Sequence, residues 1–288
     1  MSFDETRLDK LIRHRFGKSI PQSIIEKAIR NRDILVNGQK GKASDKVSDD
    51  VKIFVHPKIR EIFINFNDEK QIDYKDYIDQ FKKMIIYEDD ELIIIDKPSG
   101  LPVQLGSKLK LAVDGMARAY NPDARLAHRI DKETSGITVL TKNIASARAM
   151  LYLFQNKKIE KNYVAIVNGK LPSDEFIIDA PLLKIHDKVV VDYLSGKPST
   201  TKFKVLVKDE MSGISLILAT PITGRTHQIR VHLSSIDCPI LGDTKYGNKK
   251  YDFLCLHARY ISFRKPNGKK ISITTKLPEY FFMKGNID

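Results

Sequence analysis

The chain has 288 residues, enough for one large domain or for a large and a small one. Its 49 Lys and Arg against 36 Asp and Glu leave a net charge of +13. That excess points to a polyanionic partner, nucleic acid before an anionic membrane surface, with a Lys- and Ile-heavy composition as the bland alternative. Two cysteines, Cys238 and Cys255, exclude a disulfide scaffold and a cysteine zinc site, and fit small buried residues in a reducing compartment. Residues 1–5 are acidic and lack the apolar stretch of a signal peptide. Apolar runs such as 92–95 are strand length, far below the ~20 residues of a membrane span, so a soluble cytoplasmic protein without a membrane partner is expected.

Residues 5–60 read as one compact unit. Leu8, Leu11, Ile12 and Phe16 fall at helical spacing, and Gly17 stops the helix. Pro21 suits the first position of a second helix, whose apolar stripe is Ile24, Ile25, Ala28 and Ile29. Ile34-Leu35-Val36 is a short strand, Asn37-Gly38 a turn signal, and 50–55 a further strand with Pro57 after it. Residues 1–60 hold 14 basic and 8 acidic side chains. Arg13, Arg15, Lys18, Lys27, Arg30 and Arg32 fall on the polar sides of the helices and in the loops around them. Both a grip on nucleic acid and a solvated helix face fit that placement.

Residues 61–83, with 6 acidic and 4 basic side chains, scattered Tyr and Phe and no clean period, read as a linker. Over 84–288, short β-branched runs dominate: 84–87, 92–95, 137–140, 163–167, 203–207, 214–218 and 271–275. Helical spacing occurs at 113–120 and 145–154. Strands outnumber helices and do not alternate strictly with them, which predicts an α+β class with a mixed, largely antiparallel sheet.

Five segments hold candidates for chemistry. In His128-Arg129-Ile130-Asp131-Lys132-Glu133-Thr134-Ser135-Gly136, Asp131 stands between two cations ahead of a turn and a strand. From the residues alone it is a structural salt bridge or a displayed functional carboxylate. Thr223-Gly224-Arg225-Thr226-His227-Gln228-Ile229-Arg230-Val231-His232 crowds guanidiniums, imidazoles, a carboxamide and hydroxyls between apolar positions. If it is extended, Thr226, Gln228 and Arg230 share one face, and Ile229 and Val231 the other. A buried face so rich in donors needs phosphate or carboxylate acceptors; a solvated edge strand is the alternative. Tyr163, on one strand face with Ala165 and Val167, and His257, within the apolar run 254–258, read as core residues on their own. Asp96-Lys97-Pro98-Ser99-Gly100 is a turn after a buried strand. The sequence carries no phosphate-loop, dinucleotide or nucleophile-elbow motif. His227 and His232, five apart on an expected strand, point to opposite faces and do not make a metal pair. Chemistry without cofactor or metal is therefore expected.

In this order and spacing the five segments resemble the RluA-type pseudouridine synthases. The signature of that family is His-Arg-Leu-Asp, two variable residues and Thr-Ser-Gly. It stands here at 128–136 with Ile130 for Leu, a volume-conserving exchange. Residues 223–230 match the second strong motif without departure, and Lys161-x-Tyr163, Lys97-Pro98 and 254–258 agree. In front of them, Arg7-Leu8-Asp9-Lys10-Leu11-Ile12, Pro21-Gln22-Ser23-Ile24-Ile25-Glu26 and Ile34-Leu35-Val36-Asn37-Gly38 resemble the S4 RNA-binding domain. The resemblance implies a small S4-like α/β RNA-binding domain over 5–60, a linker over 61–83, and a catalytic domain of pseudouridine synthase type over 84–288.

It also implies an isomerase that detaches uracil from its ribose, turns it and rejoins it through carbon. The target base must be flipped out of its stack, and Arg129 would take the vacated space. Asp131 would initiate the reaction by attacking base or sugar or by deprotonating the sugar. Arg230 would be its ion-pair partner, with Arg225 as the fallback. Tyr163 would stack on the uracil and could move a proton at its C5. Ile229 and Leu256 would line a dry pocket, and His128, Arg225, His227 and Gln228 would contact RNA. At Pro21-Gln22-Ser23, Val36-Asn37-Gly38 and Asp114-Gly115-Met116 the chain looks most like members acting on 23S ribosomal RNA. The expected partner is that RNA or a pre-ribosomal particle, and the expected state a monomer. Another rRNA helix, a tRNA, or a non-catalytic ribosome-assembly factor that kept the fold are the alternatives.

Overall fold

A computed structural model describes residues 5–17, 20–68, 72–104, 111–209, 211–247 and 251–282. The chain divides into two compact units, one from residues up to 73 and one from 74–104 and 111 onward.

The first unit runs β1 (Thr6–Arg7), α1 (Leu8–Phe16), α2 (Gln22–Arg30), β2 (Ile34–Val36), β3 (Lys46–Val47), β4 (Ile53–Val55) and α3 (Pro57–Asp68). Leu8 and Ile12 of α1, and Ile25, Ala28 and Ile29 of α2, meet Ile34 and Val55 in one core. Helical spacing puts those side chains on single stripes, so each short helix has one face to bury. Asn37 and Gly38 both take positive φ, 49° and 79°, as a tight two-residue hairpin turn requires. The strands pair antiparallel, β1 with β3 and β2 with β4.

The stretch expected to be a linker, 61–83, is largely helical. It holds the latter part of α3 and most of α4 (Ile78–Met84). Its scattered apolar residues are the reason. Phe63 is buried in the first unit's core, and Phe81, with Met84 just beyond the stretch, in the second's.

The second unit continues with β5 (Ile85–Glu88), β6 (Leu92–Lys97), α5 (Val113–Tyr120), β7 (Arg125–Leu126), β8 (Ser135–Thr141), α6 (Ile144–Gln155) and β9 (Glu160–Asn168). Then follow β10 (Glu175–Asp179), β11 (Leu182–Ile185), β12 (Lys188–Val191), β13 (Thr200–Asp209), β14 (Ile214–Pro221), α7 (Gln228–Ser234), β15 (Leu256–Arg264) and β16 (Lys270–Thr274). Ten strands make one sheet in the order β10-β13-β14-β9-β15-β8-β6-β5, with β16 on β15 and β7 on β8. Among the described residues only β8 and β15 pair in parallel. The α+β class with a largely antiparallel sheet is thus what the chain adopts. Each β-branched run falls on a strand to within one residue at either end, and the two helical spacings fall on α5 and α6. Among the described residues no helix is long and apolar enough to cross a membrane.

The sheet is covered on both sides where it matters for the site. Leu92 and Ile94 of β6 pack with Met150 and Leu153 of α6, while Ile93 and Ile95 pack with α4 and α5. Alternate side chains of β6 therefore meet helices on opposite faces, which explains its unbroken apolar run. Where β8 begins beside β15, Gly136 has φ 105°, and a Cβ there would lie 2.4 Å from the Ala258 carbonyl oxygen. Only glycine fits this join.

One expectation is overturned. Residues 223–232 do not form a strand: a turn ends at His227, and Gln228–Ser234 is helix α7. The Gln228 side chain folds back to accept from the Arg225 backbone N–H at 3.0 Å and the Thr223 hydroxyl at 2.7 Å. Ile229 and Leu233, four apart, then enter the main core, while Gln228 and His232, also four apart, both bond Thr201. Tertiary burial outweighs the β preference of Ile229 and Val231. In a helix Arg230 no longer shares a face with Gln228, two residues back, and lies instead on the side of His227, three residues back.

Candidate active site

Asp131 sits in the loop that feeds central strand β8, and a buried lysine fixes that loop. The Lys97 ammonium, at the end of β6, donates to the carbonyls of Pro98 at 2.9 Å, Leu101 at 2.8 Å and Lys132 at 3.0 Å. The Gly100 N–H also reaches the Lys132 carbonyl at 2.9 Å, and the Ser99 hydroxyl the Glu133 carbonyl at 2.6 Å. Two turns from neighbouring strands are thereby fastened together, with Asp131 at their mouth. Burial pushes the Lys97 pKa down to about 7, against the pull of Glu133 and Asp131. Lys97 was visible in the sequence as part of a turn, but not as this clasp.

Asp131 keeps 23% of its side chain exposed, while its partner Arg230 keeps 3%. Arg230 Nη1 donates to Asp131 Oδ2 at 3.4 Å and lies 3.8 Å from Glu133. Its tighter bonds go to Asp243: Nε to Oδ2 and Nη2 to Oδ1, both 2.8 Å. Burial disfavours the charged guanidinium, but Asp243, Asp131 and Glu133 outweigh it and hold the Arg230 pKa above its usual value. Asp243 is itself fully buried, and its Oδ1 accepts from the backbone N–H groups of Lys245 and Tyr246 at 2.9 and 3.0 Å. Burial would raise its carboxyl; Arg230 and those two amides hold it below the usual range instead. Asp243 and Tyr246 escaped sequence reading. The available signal was a Gly242-Asp243 pair behind the apolar Ile240-Leu241, where a carboxylate needs a partner.

Tyr163 lies on β9, half-buried between the two cores of the sheet. Burial and the nearby Asp131 charge both push its hydroxyl pKa up, so it stays protonated at neutral pH. His227 takes a left-handed conformation, φ 53°, directly before α7. Its Nε2 is 3.8 Å from Asp131 Oδ1, and its Nδ1 is 2.7 Å from the Tyr246 hydroxyl. Three polar side chains thus converge from two distant segments, Asp131 from one and His227 and Arg230 from the other. Asp131 and Arg230 are 99 residues apart in the chain.

The other candidates separate into exposed and structural groups. Arg129 is exposed, within 3.3 Å of Gln104 Oε1. Arg225 is exposed and donates to the Pro198 carbonyl at 3.3 Å. His128 is not free for RNA through both nitrogens: Nε2 accepts from the Val139 N–H at 3.0 Å, and the ring packs on Phe154. Burial, with Lys161 nearby, pushes its pKa down to about 3. Gln228 is buried and spends its amide on the Thr200 carbonyl and the Thr201 hydroxyl, at 3.0 and 2.9 Å. With its oxygen already engaged, it shapes the turn rather than presenting itself to RNA. Ile229 and Leu256 are buried in the main core. His257 bonds Ser135 and Thr275, a satisfied core residue as its apolar setting suggests. A cavity of about 730 Å³ lies elsewhere, against α6 and the far end of β15, and none of these residues lines it.

In the first unit, Arg13 donates to the Ile20 carbonyl and Gln22, joining α1 to α2, so part of its role is structural. Arg15 donates to the Val51 and Asp49 carbonyls. Lys27, Arg30 and Arg32 are exposed, and Lys18 lies outside the described residues.

Residues 91–235, which contain the Asp131 loop and α7, match the model of the RNA pseudouridylate synthase family. The ribosomal large subunit pseudouridine synthase C of Rickettsia bellii (strain RML369-C) is 36% identical over 293 aligned positions, covering 96% of each chain. The protein of the same name from Vibrio parahaemolyticus is 37% identical, covering 91% of this chain and 85% of that one. Among solved structures, human RNA pseudouridylate synthase domain containing 4 aligns with a TM-score of 0.62 at 27% identity, covering 73% of this chain and 94% of that one. Sequence along nearly the whole chain and backbone over most of it lead to one assignment: the chain belongs to the RNA pseudouridylate synthase family.

Proposed function

We propose that the protein isomerises uridines of 23S ribosomal RNA to pseudouridine in the cytoplasm, acting as a single chain on that RNA or on a pre-ribosomal particle. The observation that carries the reading is Asp131, a partly open carboxylate 3.4 Å from a buried guanidinium that Asp243 already grips. The names of the relatives from Rickettsia bellii and Vibrio parahaemolyticus support the choice of RNA, and the net charge of +13 supports a polyanion.

In this reading the target uridine leaves its stack at a cost of a few kcal/mol, and exposed Arg129 fills the space. Asp131 starts cleavage of the bond between uracil and ribose, while Arg230 gives the carboxylate a charge partner of fixed position. Tyr163, protonated and half-buried on β9, offers a ring for the uracil and a hydroxyl near C5. Arg225 and His227 at the rim complete the polar wall, and Ile229 and Leu256 back it with apolar surface. Residues 5–60 serve as an S4-like RNA-binding domain through Lys27, Arg30 and Arg32, and 84–288 as the catalytic domain. A retaining or inverting glycosidase would need a second dedicated carboxylate. The nearest one, Glu133, is drawn toward the same Arg230 nitrogen at 3.8 Å.

The test is Asp131→Asn as the only copy in cells, followed by mapping of pseudouridine in total RNA. Loss of defined 23S sites, with the variant present and folded, is expected. Persistence of every site removes the catalytic assignment, and a loss confined to tRNA moves the substrate. A loss of sites with normal ribosome assembly also argues against an assembly factor.

A further inference from the structure

Tyr246 touches both groups that face the carboxylate. Its ring lies under the Arg230 guanidinium, 5.3 Å from centroid to Cζ. Its hydroxyl is 2.7 Å from His227 Nδ1 and accepts from the Val189 N–H at 3.0 Å. The tyrosine is itself held in place: Asp243 accepts from its N–H at 3.0 Å, and the Ser234 hydroxyl donates to its carbonyl at 2.8 Å.

The protons in this chain can be assigned. A backbone N–H can only donate, so the Val189 bond occupies the phenol oxygen as acceptor. Burial raises the Tyr246 pKa, so the phenol keeps its one proton at neutral pH. Among the described residues, the acceptor in reach of that proton is His227 Nδ1. An imidazole that accepts at Nδ1 and is neutral carries its hydrogen on Nε2. Burial lowers the His227 pKa, Asp131 and Asp243 oppose that, and Arg230 and Lys245 add to it; the net direction is down, toward the neutral ring. The Nε2–H then faces Asp131 Oδ1 across 3.8 Å, while Arg230 Nη1 faces Oδ2 across 3.4 Å. Both distances are long for charge-assisted bonds, and such bonds tighten once substrate excludes water.

We propose that Tyr246 is a positioning residue for the isomerisation: by donating to His227 Nδ1 it locks the tautomer whose Nε2–H holds Asp131 Oδ1. Each carboxylate oxygen then faces one donor, His227 at 3.8 Å on one side and Arg230 at 3.4 Å on the other, so both contacts are oriented to close on it when substrate excludes water. The functional part of this proposal rests on the reading of Asp131 as the initiating group; the tautomer itself does not.

The experiment uses the full chain labelled with 15N-histidine. Two-bond 1H–15N spectra assign His227 by its absence in His227→Gln. Nδ1 is expected to be unprotonated and Nε2 protonated in the unsubstituted protein, with a mixture of tautomers in Tyr246→Phe. An Nδ1-protonated His227 in the unsubstituted protein overturns the proposal whatever the activity. Turnover is then measured on a 23S RNA fragment. Tyr246→Phe keeps the ring under Arg230 but strands the buried Val189 N–H, so its urea midpoint should fall modestly while the variant stays folded at the assay conditions. Its kcat should fall about tenfold, the scale of one hydrogen bond to a charged group, with KM little changed. Gln at 227 presents an amide N–H near the Nε2 position and needs no tyrosine to orient its proton. Tyr246→Phe should therefore cost little further kcat in a His227→Gln background. An equal cost in both backgrounds assigns Tyr246 a general structural role and overturns the coupling. Should Asp131→Asn retain activity, the catalytic reading fails while the spectra still decide the tautomer.

Discussion

Replacing Asp243 with Asn tests the charge balance beneath the site. The carboxylate is fully buried and makes two 2.8 Å bonds to Arg230, itself 3% exposed. Asn can still accept at Oδ1 from the amides of Lys245 and Tyr246, but its NH2 would face the Arg230 Nε–H, donor against donor. Breaking a buried pair by neutralising one partner costs about 3–5 kcal/mol. Asp131 at 3.4 Å and Glu133 at 3.8 Å still share the stranded charge, which places the expected loss near the lower end, about 3 kcal/mol. For a chain of this size that lowers Tm by roughly 6–12 °C. The pH dependence has a definite sign. The folded-state pKa of Asp243 is depressed, so its contribution is complete above the unfolded carboxylate value near 3.8 and is lost as pH falls through the folded value. Urea unfolding of both proteins should give a constant difference from pH 5 to 8, closing only as acid protonates Asp243. Arg230, released from Asp243, should also tighten on Asp131 and slow turnover on RNA. A difference within about 1 kcal/mol at pH 7 would refute the claim that Asp243 balances Arg230.

Three further outcomes follow from the same geometry. Lys97→Met should loosen the Asp131 loop and reduce kcat, and it should also remove a pH slope. With the folded pKa lowered to about 7, the unfolded chain binds more protons between pH 7 and about 10, so stability rises with pH there, by at most about 1.4 kcal/mol per unit. Urea titrations at pH 7, 8 and 9 should show that rise in the parent and not in the variant. Gly136→Ala forces a Cβ to 2.4 Å from the Ala258 carbonyl at φ 105°, and should cost at least about 3 kcal/mol, read as loss of soluble protein or of urea midpoint. Changing exposed Lys27, Arg30 and Arg32 together to Ala should leave Tm unchanged. The slope of log K against log salt for RNA binding should become shallower by about 2, and an unchanged slope means those side chains touch no phosphate.

The strands of the second unit were legible because burial and local preference agree in them: runs such as Leu92-Ile93-Ile94-Ile95 are rich in β-branched isoleucine and fully buried. Residues 223–232 were misread because they disagree. Ile229 and Val231 favour a strand, and only the fold-back of Gln228 onto Arg225 and Thr223 starts a helix there. The stretch 61–83 looked like a linker because its anchors serve different partners, Phe63 in one core and Phe81 in another, so no single period runs through it. Asp131, Tyr163 and Arg230 stood out through motif spacing. Lys97 carried the mark of a motif turn but not its role as a clasp, and Asp243 and Tyr246 carried no mark, since these roles depend on carbonyls and ring faces supplied by distant chain.

The arrangement around Arg230 resolves a conflict that the sequence poses. A single buried guanidinium facing a single carboxylate would form a tight bidentate pair, and both short bonds would have to break before that carboxylate approached a substrate. A buried guanidinium without any carboxylate would be too costly to keep. Asp243 removes the conflict by taking the two short bonds, which leaves Asp131 one longer bond at 3.4 Å and an exposed edge. The same Asp243 oxygen fixes the turn bearing Tyr246, whose hydroxyl reaches His227 on the other side of Asp131. On the proposed reading, the carboxylate that initiates the reaction is thus positioned by one that does not, and the division of Arg230 between them keeps Asp131 on longer contacts with an exposed edge.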